Sequence, residues 1–140
     1  MVASFEFFEH TADVGLAVEA DTLAELLVSA GEGIVQSLVL EPSTIRELIE
    51  KQFEVKAKEL DFLLFDFLNE LIYLFETERF LAARISAKEV SNLEWQFTLR
   101  GETFDSERHP SGHEVKAITY HGLSVEQRQG KWYARVILDI

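Results

Sequence analysis

A sixteen-residue stretch without glycine or proline, Leu60–Phe75, constrains the fold more than any other part of the chain. Polar side chains recur in and just after it at the spacing of one helix face: Asp66, Asn69, Glu70, Tyr73 and Thr77. The other faces are apolar, which is typical of a helix that is buried on most sides. The stretch is short for a membrane span, and its carboxylates would lie inside the bilayer. We therefore predict the central helix of a soluble core, with the polar stripe as its wet face.

The charge of the chain argues against one class of function without assigning another. The net charge is −12, and residues 1–70 alone hold 15 acidic side chains against 4 basic ones. Such an acidic surface repels phosphate backbones, so we expect no strong autonomous binding of nucleic acid. The acidity suits a basic protein partner and suits simple solubility equally well.

Length and composition predict one domain covering residues 1–140, with a substantial core. The sequence has no secretory signal pattern and no transmembrane run, so we expect a cytoplasmic protein that does not associate with membranes. The absence of cysteine excludes disulfides, thiolate chemistry and cysteine-ligated zinc sites.

A second helix and several strands follow from periodicity. Thr22 and Glu25 form a capping box at the start of a predicted helix over Leu23–Leu38. Apolar and alternating runs predict strands over Ser4–Glu9, Leu16–Ala20, Phe53–Lys58, Arg79–Ser86, Leu93–Thr103, Val115–Val125 and Lys131–Ile140. The fold class expected from this pattern is α+β, a two-layer sandwich of two main helices on a mostly antiparallel sheet.

Motifs that carry catalysis are missing: there is no P-loop, dinucleotide fingerprint, nucleophile elbow or HExxH sequence. One weaker constellation is the polar break His10–Gly15, in which Asp13 either caps a turn or takes part in a site. Another is the chain end, where a strand pattern continues to Asp139 and Ile140 and would bring two carboxylates together. A frayed terminus is the alternative there.

The third constellation is the loop Gly101–Glu114 with the residues that follow it. Its candidate side chains are Asp105, Arg108, His109, His113, Lys116 and His121. A zinc site is weakly supported because Pro110 and Gly112 interrupt the histidine pair and rule out the helical face that such pairs use. A loop that contacts a partner is the better interpretation. Lys116 and His121 are five residues apart on a predicted strand, so we expect them on opposite sides.

Four segments, in this order and spacing along essentially the whole chain, resemble archease: His10–Gly15, Leu68–Phe75, Glu114–His121 and the final Asp139-Ile140. The resemblance implies an accessory protein and not an enzyme. Archease assists the GTP-dependent RNA ligase of tRNA splicing and RNA repair, which guanylylates its own histidine and joins 3′-phosphate or 2′,3′-cyclic-phosphate ends to 5′-hydroxyl ends. It accelerates guanylylation and permits multiple turnover.

The resemblance also implies a divalent cation, Ca²⁺ or Mg²⁺, on Asp13, Asp139 and Ile140, since oxygen ligands select hard ions. These residues can meet if the first strand lies beside the last, with the break after Glu9 at the same end as Ile140.

The partner contacts that we expect for the loop region are Arg108, His109, Lys116 and His121. Two alternatives stay open: a small metal-dependent hydrolase or ribonuclease, and a chaperone-like binding protein. The hydrolase would use Asp13, His109, His113 and His121.

Overall fold

A computed structural model describes residues 3–10 and 13–140; Thr11 and Ala12, in the middle of the predicted polar break, lie outside the described residues. The two helices are α1 (Leu23–Leu38) and α2 (Leu60–Glu78). The strands are β1 (Ser4–His10), β2 (Asp13–Ala20), β3 (Ile49–Lys56), β4 (Phe80–Ser91), β5 (Glu94–Thr103), β6 (Ala117–Arg128) and β7 (Lys131–Asp139).

The strands form two antiparallel sheets, one in the order β1-β2-β7-β6 and the other in the order β3-β5-β4. Both helices pack on both sheets, and one apolar cluster runs through all of these elements. The predicted α+β class, with two main helices and antiparallel strands, is thereby confirmed, although the strands form two sheets where one was expected.

Strand order corrects one expectation. The first strand, β1, does not lie beside the last strand, β7, because β2 lies between them and pairs with both. β1 and β2 form a hairpin, in which His10 pairs with Asp13. Alternation of apolar residues specifies which face of a strand is buried, but it does not specify which strand becomes the neighbour.

Helix α1 begins where the capping signal predicts. The Thr22 hydroxyl oxygen accepts a hydrogen bond from the backbone N–H of Glu25 at 3.1 Å, and the same hydroxyl donates to the Glu25 carboxylate at 2.8 Å. Gly31 and Gly33 let the helix approach its neighbours closely. A Cβ on Gly33 would lie 2.8 Å from Leu16, closer than packed side chains allow.

Helix α2 is a core helix, as the periodicity predicts, but it buries one side and not most of its circumference. The buried residues are Leu63, Leu64, Phe67, Leu68, Leu71, Ile72 and Leu74, whereas Phe62 is 39% exposed. Phe67 is completely buried and stacks on Phe97 with ring centroids 4.0 Å apart. The polar stripe faces outward at Asp66, Tyr73 and Thr77. Aromatic stacking of this kind adds to the energy of apolar burial. Within the described ranges, no helix is long and apolar enough to cross a membrane.

Strand β6 is interrupted where a regular strand was predicted. It begins at Ala117, two residues later than predicted, and its register with β7 shifts between Thr119 and Ser124. Thr119 pairs with Ile137 and Ser124 with Arg135, so the four residues between them face a single residue of β7. The bulge breaks the alternation that placed Lys116 and His121 on opposite faces of one strand. Lys116 precedes β6, and His121 lies in the bulge.

Candidate functional site

The register of β2 and β7 places Asp13 and Asp139 at the same end of the four-stranded sheet. Val14 pairs with Leu138, so the next residues outward are Asp13, the first residue of β2, and Asp139, the last residue of β7. Asp13 and Asp139 are both partly exposed. The fold thus places at one end of the sheet two residues that lie near opposite ends of the chain.

Two neighbours complete this end of the sheet. Ile140 follows directly and packs its partly buried side chain against the core. The backbone N–H of Lys116 donates to the carbonyl oxygen of Asp139 at 2.8 Å, which ties the residues before β6 to the end of β7. The Lys116 side chain is exposed here, close in the fold to Asp13 and Asp139.

Oxygen donors of this kind suit a hard divalent cation, because carboxylate and carbonyl oxygens are the ligands of Ca²⁺ and Mg²⁺. Over residues 3–10 and 13–140 no group of three or more His, Asp or Glu side chains is placed to hold a metal. The candidate oxygen ligands at this end of the sheet are the carboxylates of Asp13 and Asp139.

The predicted loop between β5 and β6 is anchored along most of its length. Backbone bonds join Leu40 to Pro110 at 2.8 Å, Gly112 to Leu38 at 2.9 Å, and His113 to Ser37 at 2.6 Å. His113 also borders a depression of about 250 Å³ that is lined by Phe7 and Val14. The loop carries His113 to the same end of the four-stranded sheet as Asp13.

A buried carboxylate holds the other half of this loop. Glu102 is almost fully buried at the end of β5, where one oxygen accepts from Arg108 at 2.9 Å and from Arg46 at 3.2 Å. Its other oxygen accepts from the Arg46 backbone N–H at 2.7 Å. Arg108 also donates to the carbonyl oxygen of Thr44 at 2.8 Å. Glu102 thus joins the loop to the segment before β3.

His109 completes this cluster and is held in one tautomer. Its Nδ1 accepts from the backbone N–H of Asp105 at 2.8 Å, and a backbone N–H can only donate, so Nδ1 carries no proton. Nε2 then bears the proton and donates to Glu102 at 3.0 Å. The side chain has 0% exposure. The prediction of His109 as a partner contact is therefore wrong: its polar atoms are used internally and its ring does not reach the surface.

The hydrogen bond from the Arg108 guanidinium, above all, lowers the pKa of the Glu102 carboxyl well below its ordinary value, and the bonds from Arg46 and His109 act in the same direction. Burial opposes this effect but is outweighed. The same pairing raises the pKa of Arg108. Glu102 is thus an ionised buried carboxylate whose role here is structural.

The four predicted partner contacts do not form one surface. Arg108 is held by Glu102 and Thr44 beside the three-stranded sheet, with its side chain about one-third exposed. Lys116 and His121 are exposed on the four-stranded sheet. No local pattern indicates a buried Glu102, because it continues the polar positions of β5 (Glu94, Gln96, Thr98 and Arg100), which alternation assigns to the outer face.

Comparison with known proteins extends the similarity over nearly the whole chain. The model of the Archease protein family matches residues 5–140. The chain is 35% identical to the protein archease of Methanopyrus kandleri, with 97% of this chain and 99% of that protein covered. It is 34% identical to the protein archease of Pyrococcus furiosus, with 97% and 98% covered.

Solved structures show the same fold. A solution structure of a protein from Methanobacterium thermoautotrophicum has a TM-score of 0.77 and 27% identity, covering 97% of this chain and 98% of that one. The crystal structure of an archease from Thermotoga maritima, described as a possible chaperone, has a TM-score of 0.66 and 24% identity, covering 95% and 94%.

Proposed function

The chain belongs to the archease family, and we propose on this basis that it activates a GTP-dependent RNA ligase. The ligase joins 3′-phosphate or 2′,3′-cyclic-phosphate ends to 5′-hydroxyl ends in tRNA splicing and RNA repair. The protein promotes guanylylation of the ligase histidine and permits multiple turnover without catalysing ligation. The family match over residues 5–140 is the observation that carries this proposal.

Two properties of the chain support an accessory role over catalysis. The competing hydrolase or ribonuclease would need His109, whose two ring nitrogens are already used by Glu102 and the Asp105 backbone. The net charge of −12 disfavours an RNA substrate but favours association with a basic protein. An enzyme that binds GTP and RNA ends is expected to present such a basic surface.

We further propose that Asp13, Asp139 and the carboxylate of Ile140 hold a divalent cation, Ca²⁺ or Mg²⁺. Carboxylates gathered about 4 Å apart repel one another by about 4 kcal/mol per pair at an effective dielectric near 20, and a cation removes this cost. When bound, the cation supplies a positive charge that phosphate oxygens can approach. Lys116, whose backbone is bonded to Asp139 at this end, remains a proposed partner contact, as does the exposed His121 in the β6 bulge.

The first experiment separates an activator from an enzyme. Labelled RNA with a 2′,3′-cyclic phosphate at one end and a 5′-hydroxyl at the other is incubated with GTP, divalent metal and the isolated protein, the ligase, or both. We expect intact RNA with the protein alone and more ligation cycles per ligase with both. RNA cleavage by the isolated protein would favour the hydrolase instead. If the protein has no effect on the ligase but protects several unrelated proteins from aggregation, a chaperone would be favoured.

The second experiment tests the metal ligands by calorimetry with Ca²⁺ and Mg²⁺. Asp13→Ala should weaken cation binding, and so should a C-terminal extension that moves the carboxylate off Ile140. An N-terminal tag should be tolerated, and Glu54→Gln serves as a control for loss of one exposed carboxylate on β3. Identical binding by the native and the C-terminally extended protein would remove Ile140 from the site.

A further inference from the structure

Three aromatic rings form an exposed cluster where the start of α2 meets β6. Tyr120 has 47% exposure and Phe62 has 39%. The ring centroid of Tyr120 lies 5.2 Å from that of Phe62 in an edge-to-face arrangement and 4.3 Å from that of Phe65. Phe65 is partly buried and packs against the core. The cluster is thus a fixed aromatic surface and not a set of isolated exposed rings.

The β6 bulge places Tyr120 on this surface. Tyr120 lies among the residues that leave the ladder between Thr119 and Ser124, and Gly122 supports the bulge with a φ of 77°. A bulge of this kind redirects a side chain away from the regular alternation of its strand. The sequence gives no sign of this geometry, because the residues around Tyr120 continue the strand pattern.

Side chains of α2 hold β6 on both sides of the bulge. The Asp61 carboxylate accepts from the backbone N–H of Val125 at 3.0 Å. The Asn69 amide oxygen accepts from the backbone N–H of Ile118 at 3.4 Å. These bonds satisfy N–H groups on an edge strand and fix the helix against it. The aromatic cluster is therefore held in place before any ligand arrives.

Three carboxylates lie close enough to Tyr120 to act on its phenol. Burial first, and then the charges of Asp66, Asp61 and Glu59, raise the pKa of Tyr120, so the phenol is neutral at physiological pH. No lysine or arginine occurs from Glu59 to Glu78 in the sequence. We define the acidic aromatic surface as Phe62, Phe65 and Tyr120 with these three carboxylates.

We propose that the acidic aromatic surface binds an arginine-bearing segment of a basic protein partner. A guanidinium stacks flat on an aromatic ring and can also donate two parallel bonds to a carboxylate, which a lysine ammonium cannot do. Phosphate groups of RNA would be repelled by Glu59, Asp61 and Asp66. The partner's identity as the RNA ligase rests on the proposed function, but the recognition chemistry does not.

The chemistry is tested with a hexa-arginine peptide, followed by calorimetry and by amide chemical shifts. Peptide binding should shift amides around Phe62, Asp66 and Tyr120. The double variant Asp66→Asn with Tyr120→Leu should bind about tenfold more weakly, the size of one cation–π contact and one charge pair together. Tyr120→Phe keeps an aromatic face and should bind almost as wild type does.

The matched control is Glu54→Gln, which removes one exposed carboxylate from β3. It should leave peptide binding almost unchanged, and all variants should retain the wild-type circular dichroism spectrum and melting temperature within a few degrees. Equal weakening by Glu54→Gln and by the double variant would overturn the proposal, since binding would then follow net charge alone. Unchanged binding by the double variant would overturn it as well.

The ligase supplies a second readout. If wild-type protein stimulates the ligase, the double variant should need about tenfold more protein for half-maximal stimulation. Stimulation with an unchanged half-maximal concentration would show that the ligase does not dock here. Failure of wild-type protein to stimulate at all would instead contradict the proposed function, and the peptide measurements would still decide on the surface.

Discussion

Glu102 and His109 are polar residues of a type common in functional sites, but in this molecule they stabilise a loop. The Glu102 carboxylate receives bonds from Arg108, Arg46 and His109, although Arg46 lies 56 positions earlier in the chain. Local sequence patterns do not reveal such a distant partner. The sequence therefore predicted a functional histidine in this loop, whereas folding uses its ring to close the loop on Glu102. The register of β2 and β7 puts Asp13 and Asp139 at one end of the four-stranded sheet, whereas the strand order that we expected to bring them there was wrong.

The Glu102 cluster makes stability depend on pH in a defined direction. The pKa of Glu102 in the folded protein is below its ordinary value of 4.5. Its contribution is therefore present above about pH 4.5 and is lost as the pH falls below that value. Glu102→Gln should lower the free energy of unfolding by about 3 kcal/mol at pH 7, because it leaves buried donors without an anionic acceptor. Below pH 4.5, the free energy of unfolding of this variant should also fall less steeply with decreasing pH than that of the wild type.

Urea unfolding of wild type and Glu102→Gln at a series of pH values measures both effects. Glu89→Gln, an exposed carboxylate on β4, is the control and should change stability by less than about 0.5 kcal/mol. Parallel pH profiles for wild type and Glu102→Gln would contradict an ionised, stabilising Glu102.

At the scale of elements, periodicity predicted the helices better than it predicted the sheets. The stripe from Asp66 to Thr77 identified α2 because helix hydrogen bonds and helix faces are both local in sequence. Strand neighbours depend on distant pairing, and neither the division into two sheets nor the β6 bulge has a local signal. The β5 strand adds a further long-range constraint at Gly101, which pairs with Ile49 on one side and Ala82 on the other.

Gly101→Ala should strongly destabilise the protein. An added Cβ would meet the backbone carbonyl of Leu81, and a backbone atom in the centre of a sheet cannot move aside as a side chain can. We expect a loss of at least about 2 kcal/mol in the free energy of unfolding, within the range for overpacked sites.

Thermal and urea unfolding of Gly101→Ala provide the measurement. Thr103→Ala, at an exposed position two residues further along the same strand, controls for a general effect of changing β5 and should be nearly neutral. Wild-type stability in Gly101→Ala would mean that β4 and β5 are not as closely spaced as described.

At the scale of the whole molecule, three features lie on the four-stranded sheet or the helix that covers its edge. The ends of β2 and β7 bring Asp13 to Asp139, the exposed Lys116 is bonded through its backbone to the same end, and the acidic aromatic surface lies along β6 and α2. The Glu102 cluster supports the three-stranded sheet. Both proposed contact regions, the sheet end and the acidic aromatic surface, therefore lie on the four-stranded side of the molecule, whereas the apolar core is shared by both sheets.

We propose that this protein accelerates the guanylylation of its ligase. The most direct measurement follows the ligase–GMP adduct formed from labelled GTP and divalent metal, with increasing concentrations of this protein. We expect the rate of adduct formation to rise and saturate with wild-type protein, and to rise much less with Asp13→Ala. A guanylylation rate that stays constant over the whole concentration range, with a ligase that forms the adduct on its own, would contradict the claim.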